Sequence, residues 1–491
     1  MSDFEHDILF DSYSKVLHLL DLLFDINEGY IAEILDLMVQ IAQEEEWNHE
    51  FFIFLVDKAC SPNIQKLNVY VDLAKQIYDK YPESKLFKNF SCGELSMTLS
   101  NNQIYFNNET YQAIIDDDVD YLINLSSKDS NFNFNDVIFF RSYINISAMH
   151  GSSKCFKFLL SNNAEINEQT LIHAFEGGDL EIINMIEQKF VPDQNCIDAA
   201  VKSHNNDAVY YLMDKYNLDY SYSNCAESYN LELFFFKLSN EVQDNKIKSL
   251  NESFTDMIFF GLKSLIKLYV ENGVDINSTN INNWTALVVC IILNLSPSVA
   301  KYLIEKKIDV DAIDVFKMSV LMMCALRDNI EIAKILIENG ANINQKDAEK
   351  RSILMLAKSP EFVSLLIDHG CDLKVLNCEG YNALEYAVKE CDYIKVKYLL
   401  ENSKIEIRTS LKICCIHNYD EIAKLLIDHG ANINQYDEYP LLFYCQIGDS
   451  MKTARLLLKH NFDLTNYEPF ANTLNDTAKF ISKELQSRKK N

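Results

Sequence analysis

Residues Glu331-Ile-Ala-Lys-Ile-Leu-Ile-Glu-Asn-Gly340-Ala-Asn-Ile-Asn344-Gln-Lys-Asp347 recur almost unchanged from Glu421 through Gly430 and Asn434 to Asp437, so the chain is internally repetitive. Ile332, Ile335 and Leu336, like Ile422, Leu425 and Leu426, fall at helical spacing on one apolar face. Glu331, Lys334 and Glu338 fall toward water. Gly340 and Gly430 follow directly, and a residue without Cβ most cheaply takes the left-handed position that ends a helix. The unit is therefore a short helix, a glycine stop and a polar turn.

Tracking the leucine near the end of this helix gives the period. Leu303, Leu336, Leu366 and Leu399 are spaced by 33, 30 and 33 residues, with Leu426 and Leu457 beyond. Leu159, Met185 and Leu212 are spaced by 26 and 27, with roughly Lys237 next. The shorter spacing holds two helices and tight turns but no protruding β-turn finger. The partner helix is legible in Ser147-Ala-Met-His-Gly151-Ser-Ser-Lys-Cys-Phe-Lys-Phe-Leu-Leu160 and in Thr170-Leu-Ile-His-Ala174-Phe-Glu-Gly-Gly178. Each reads as a small-residue helix, a glycine turn and the start of an apolar-faced helix.

These copies resemble the ankyrin repeat, whose period is about 33 residues. The resemblance spans roughly residues 111 to 465 and implies an all-α ankyrin-repeat solenoid of about eleven or twelve stacked helix-turn-helix units. Short β-turn fingers are expected from about Asn277 onward. No copy carries Thr-Pro-Leu-His; the nearest are Trp284-Thr-Ala-Leu287, Asn382-Ala-Leu384 and Tyr439-Pro-Leu441. The trimmed block from Asp118 to about Asn217 is similar to the ankyrin-associated domain of unknown function of large protist ankyrin-repeat families, which implies no activity.

Four segments follow. Residues 1–105 read as a separate N-terminal helical segment, with helices over Ile8 to Phe24, Tyr30 to Gln43, Phe51 to Ala59 and Asn63 to Lys80. A soft boundary lies at Ser91-Cys-Gly-Glu and Asn101-Asn-Gln. Residues 111–220 are degenerate short repeats, 221–465 are fuller repeats, and 466–491 hold a capping helix from about Asn472 to Ser487 with the basic tail Arg488-Lys-Lys490. Repeat stacks need a polar outer face at both ends, so the N-terminal segment is expected to cover the end opposite this helix.

Composition bounds the partners. Of 491 residues 48% are hydrophobic, enough for a buried core, and 45 Lys and Arg against 72 Asp and Glu leave a formal net charge of -27. Such a surface repels nucleic-acid phosphates and anionic lipid, so the expected partners are proteins, not nucleic acid. No secretory signal is legible at Met-Ser-Asp-Phe-Glu, and the longest apolar run, Ala286 to Leu293, is too short to span a bilayer. Thirteen cysteines without paired spacing fit reduced thiols in a cytoplasmic or nuclear compartment.

The chemistry-bearing residues have structural addresses. Cys290, Cys324 and Cys414 share one column with Ala357 and Ala387, where a small side chain is needed between two helices. His150 precedes a turn glycine, His173 sits on a first helix, His429 and His460 fall in the last turn of a second helix, and Asp116 to Asp118 with Asp120 fall at a helix start. Glu44-Glu-Glu46 reads as a solvated helix end. Phosphate-loop, dinucleotide, zinc-protease and serine-hydrolase signatures are absent, so no enzyme, cofactor or metal is expected.

The remaining functional surface is the extended concave face that stacked first helices and fingers present. Aromatic and arginine side chains dominate interface energetics. Trp284, Phe316, Lys346, Lys350, Arg351, Tyr381, Tyr436 and Tyr439 are therefore the expected partner contacts, with Lys346, Lys350 and Arg351 a basic tip suited to an acidic peptide. The expected function is a non-enzymatic protein-interaction scaffold. Its rivals are a substrate-selecting adaptor whose N-terminal helices dock on a larger machine such as a ubiquitin ligase, and an enzyme with scattered catalytic residues.

Overall fold

The second helix of each repeat follows one burial rule. Counted from the residue that caps it, positions three, four and seven turn inward: Cys155, Phe156 and Leu159; Ile182, Ile183 and Ile186; Ala208, Val209 and Leu212; Ile332, Ala333 and Leu336; Ile422, Ala423 and Leu426. These three positions form one stripe of a helix, and burying them against the neighbouring pair drives stacking. The stripe places Ile186, fully buried, where the leucine count had Met185, which is half exposed. These features come from a computed structural model whose described residues are 6–45, 47, 49–60, 67–80, 108–128, 132–138, 141–434, 439–460, 462–463 and 476–488. The boundary at Ser91 and Asn101, Tyr436 and the tail after Arg488 lie outside them.

The helices divide into two compact units, Met1–Asn280 with Leu293–Val299, and Ile281–Ile292 with Ala300–Asn491. In the first, pairs run from Glu109–Ile115 and Val119–Lys128 to Gln194–Lys202 and Asn206–Tyr216, joined by tight turns. A two-residue antiparallel ladder, Val137–Ile138 with Arg141–Ser142, interrupts them. The expected repeat around Lys237 is a 27-residue helix, Leu231–Met257, broken only in backbone angle at Asn245. No Gly or Pro stands in that stretch to separate two helices. Lys237 keeps the seventh position after its cap, Asn230, half-buried and held by Asp219 at 2.8 Å and Glu241 at 3.0 Å.

The N-terminal helices His6–Ser12, Ser14–Phe24, Ile31–Glu45 and His49–Cys60 pack on residues 204–264 of the same unit, and Leu67–Lys80 packs on these helices, with Tyr70 Oη donating to the Leu23 carbonyl at 2.6 Å. Phe24 stacks on His204 at 3.5 Å between centroids, Tyr13 meets Phe235 at 5.5 Å and Phe54 meets Tyr229 at 5.7 Å. Trp47 Nε1 donates to the Gly261 carbonyl at 2.8 Å. The expectation that this segment covers the first repeat is thereby replaced by docking on the middle of the chain. Glu45 also departs from its solvated reading: it is buried and accepts the Ser264 backbone N–H and hydroxyl, while Glu44 stays exposed and pairs with Lys15.

The second unit stacks Val320–Arg327 with Ile330–Glu338, Ile353–Leu356 with Pro360–Asp368, Ala383–Lys389 with Tyr393–Asn402, Ser410–His417 with Asp420–Asp428, and Leu441–Ile447 with Met451–Lys459. The opening motif behaves as its sequence predicts, with Gly340 at φ 89° and Gly430 at φ 87°. Cys290, Cys324 and Cys414 are fully buried in their small-residue column. The terminal helix spans Asp476–Arg488 and buries Ala478, Ile481 and Leu485, with Asp449 accepting the Thr477 N–H at 3.1 Å.

One repeat in this unit is imperfect. Helix Ile353–Leu356 ends after four residues because Ala357 turns extended before Ser359-Pro360, leaving carbonyls without a helical partner. Lys395, buried in the next repeat, donates its ammonium to Met355 O at 2.8 Å and Ala357 O at 2.6 Å. Desolvation by burial lowers its pKa to about 8, against the opposing fields of Asp392 and Glu390.

Candidate partner-binding surface

The fingers are built from one polar device. Asp314, Asp347 and Asn377 each open a tip, and each side-chain oxygen folds back onto two backbone amides of its own loop. Asp314 Oδ1 accepts from Phe316 N and Met318 N, both at 2.8 Å. Asp347 Oδ1 accepts from Glu349 N at 3.0 Å and Arg351 N at 2.7 Å, and Asn377 Oδ1 from Glu379 N at 3.0 Å and Tyr381 N at 2.9 Å. All three are buried, so these polar atoms are satisfied inside the loop. The fourth residue of each tip is left-handed: Lys317 at φ 59°, Lys350 at φ 59° and Gly380 at φ 82°.

Neighbouring tips are tied by bonds to main-chain carbonyls. Asn283 Nδ2 donates to Ile313 O at 2.8 Å, Ala348 N to Phe316 O at 3.0 Å and Cys378 N to Glu349 O at 2.9 Å. A surface braced in this way is pre-organised, so ordering it on binding costs little.

The next connection breaks the series. Fingers were expected from about Asn277 onward, but Ser403–Thr409 carries none, in keeping with the 27-residue step from Leu399 to Leu426, and the following expected finger, Tyr436 to Tyr439, lies outside the described residues except for Tyr439. Buried Glu385 fills the place of the missing ladder, accepting from Asn382 N, Thr409 N and the Arg408 guanidinium at 2.9, 2.9 and 3.0 Å. A cleft of about 530 Å³, lined by Leu373, Lys374, Leu376, Lys404 and Arg408 among others, opens beside it.

The expected contact residues fare unevenly on this frame. Phe316 is 67% exposed at its tip, and Lys346 and Lys350 are exposed on the next. Arg351 is turned aside, with Nε 2.7 Å from Asp347 Oδ2 and a terminal nitrogen 3.4 Å from Glu349, so it braces the loop. Trp284 and Tyr381 are half-buried, and the Lys389 ammonium lies 5.6 Å from the Tyr381 ring. Tyr439 is exposed but stacks on Phe443 at 4.1 Å. Two residues that the aromatic criterion passed over stand out: Ile281 at 87% and Val315 at 59% exposure. Their signal was a large apolar side chain in the middle of a polar turn.

Other chemistry-bearing groups are absorbed by structure. His173 Nδ1 pairs with Glu176 at 2.6 Å, and His429 Nδ1 meets the Leu425 carbonyl at 2.9 Å. Asp117 caps the next second helix, accepting Cys155 N at 2.9 Å, while Asp118 accepts Tyr121 N at 3.1 Å. Burial pushes the Cys155 and Cys290 thiols up to about 12, the direction of an unreactive packing cysteine. Among the described residues no group of three or more His, Cys, Asp or Glu side chains could hold a metal ion, and no helix is long and apolar enough to cross a membrane.

Comparison with known proteins agrees with this geometry. The ankyrin-repeat family matches residues 256–347 and 344–409 as sets of three copies and residues 408–438 as a single repeat. A domain of unknown function (DUF3447) matches residues 162–237, overlapping the trimmed block but reaching about twenty residues further. An ankyrin repeat protein of fowlpox virus (strain NVSL) is 28% identical over 108 residues, 21% of this chain. The match spans 26% of that relative's length. Residues 256–438 of this chain are thus ankyrin repeats, a protein-protein interaction module, preceded by a domain of unknown function.

Proposed function

We propose that the chain is a non-enzymatic interaction scaffold that takes a protein partner on the tips between Ile281 and Tyr381. The observation that carries this reading is the run of exposed apolar side chains Ile281, Val315 and Phe316 on turns that are otherwise polar. Exposed apolar surface has a free-energy cost in water that burial by a partner removes. Hydrogen bonds between the tips, one from the Asn283 side chain and the rest main chain, hold these turns in place without a partner. The adaptor alternative asks for a free apolar face on the N-terminal helices; Leu19, Leu23, Phe51 and Phe52 are buried instead.

The test is capture from lysate by the full chain against a variant with Ile281→Ser, Val315→Ser and Phe316→Ser, followed by identification of what each retains. Loss of a defined set of proteins supports the reading, and an unchanged set sinks it. Leu180→Ser with Val191→Ser, equally exposed but away from the tips, is the control.

A further inference from the structure

The tips segregate charge. Asp314 and Asp347, the acidic residues that open two neighbouring fingers, are 4% and 5% exposed and turned into their own loops. Lys317, Lys346 and Lys350 on the same two fingers are exposed, and Lys317 and Lys350 occupy the same left-handed position one repeat apart. The carboxylate that does face outward, Glu349, lies against Arg351, 3.4 Å away. The surface between Val315 and Lys350 therefore carries unmatched positive charge beside exposed apolar groups, in a chain whose net charge is -27. Such a local reversal of sign selects anionic partners and steers them to this spot.

We propose that these two fingers bind an acidic peptide segment in which Asp or Glu is interleaved with large apolar side chains. The apolar groups would cover Phe316 and Val315, together with Ile281 on the preceding finger, while the carboxylates meet Lys317, Lys346 and Lys350. The inference rests on the fingertip reading above and names the chemistry of its partner. A peptide fits better than a lipid surface, because the remainder of the chain repels an anionic membrane over its whole area. Neither charge nor apolar contact suffices alone: exposed ion pairs contribute little, and well-packed apolar anchors carry most of the affinity.

The experiment is selection of a displayed random-peptide library on the full chain, with affinities of the selected peptides then measured for wild type, Phe316→Ala and Lys346→Glu/Lys350→Glu. The expected peptides are rich in Asp and Glu beside Leu, Phe or Trp. Their affinity should fall at least about tenfold in either variant and weaken as salt is raised. Both variants change exposed side chains, and thermal unfolding should match wild type. Peptides that are neutral or basic, with affinity lost in Phe316→Ala but kept in the charge reversal, overturn the acidic chemistry and leave the fingertip reading standing. Affinity indifferent to both variants overturns both. Concentration-dependent self-association that Phe316→Ala abolishes makes a second copy of this chain the occupant and overturns the peptide proposal.

Discussion

Glu45 Oε2 accepts the backbone N–H of Ser264 at 2.9 Å, joining residues 219 positions apart. Ser264 lies in the first turn of helix Lys263–Glu271, whose own cap position, Leu262, offers no side-chain acceptor. A carboxylate there satisfies an orphan amide and complements the positive end of the helix dipole. Glu45→Ala should therefore destabilise the first unit by about 1–3 kcal/mol, since it leaves a buried donor unpaired. Glu45→Gln, which keeps an acceptor, should lose less. Denaturant unfolding read by tryptophan emission checks this, because Trp47 is bonded to Gly261 at the same contact. Equal midpoints for wild type and Glu45→Ala would remove the argument.

The position that Gly340 and Gly430 hold is filled by Lys307 in an earlier repeat, four residues after Leu303, at φ 71°. A side chain with Cβ costs about 1 kcal/mol in this conformation. Lys307→Gly should raise stability by about that amount, and Gly340→Ala should lower it similarly. A Cβ added at Gly340 meets nothing within 4 Å, so its cost isolates the backbone effect. Paired thermal melts of the two variants, shifting in opposite directions, are the expected outcome.

The sequence makes local grammar legible and long-range docking opaque. The apolar stripe of Ile332 and Leu336, the glycine stop and the small-residue column of Cys290 and Cys324 are set by helical spacing and could be read directly. Glu45 could not: a carboxylate in Glu44-Glu-Glu46 looks solvated until Ser264 is placed beside it. The same holds for the aromatic contacts of Phe24 with His204 and Phe54 with Tyr229, which link residues far apart in sequence that share no pattern. At the tips, aromatic character found Phe316 but also Trp284 and Tyr381, which are half-buried, and it overlooked Ile281 and Val315. Burial on an irregular turn follows from which way the loop folds, and Asp314 and Asp347 set that through hydrogen bonds to residues two and four positions later.

Lys395 makes stability depend on pH in a defined window. Its ammonium is lowered from 10.5 to about 8 by burial, so between those values the unfolded chain binds more protons than the folded one. Stability then rises with pH across that window, by on the order of 3 kcal/mol at most, and the contribution is flat below it. Other lysines and tyrosines titrate nearby, so the measurement is the difference between wild type and Lys395→Met in urea unfolding at successive pH values. That difference should be constant below pH 8 and grow toward pH 10.5 in favour of wild type. A constant difference throughout would mean that bonds to Met355 O and Ala357 O hold the ammonium charged.

Asp347 and Phe316 sit on adjacent tips and should separate stability from binding. Asp347 is buried and serves three donors: Glu349 N, Arg351 N and the Arg351 guanidinium. Asp347→Ala strands two backbone amides and should cost about 2–4 kcal/mol in the second unit, with faster proteolysis within the finger. Phe316 contributes through its backbone, its N–H donating to Asp314 Oδ1 and its carbonyl accepting from Ala348 N, and its ring is mostly exposed. Phe316→Ala should change stability by less than about 0.5 kcal/mol while reducing partner binding at least about tenfold. Circular dichroism melts together with affinity measurements on both variants decide the matter. If Phe316→Ala melts early and binds normally, the ring is a packing residue and the tip is not the binding surface.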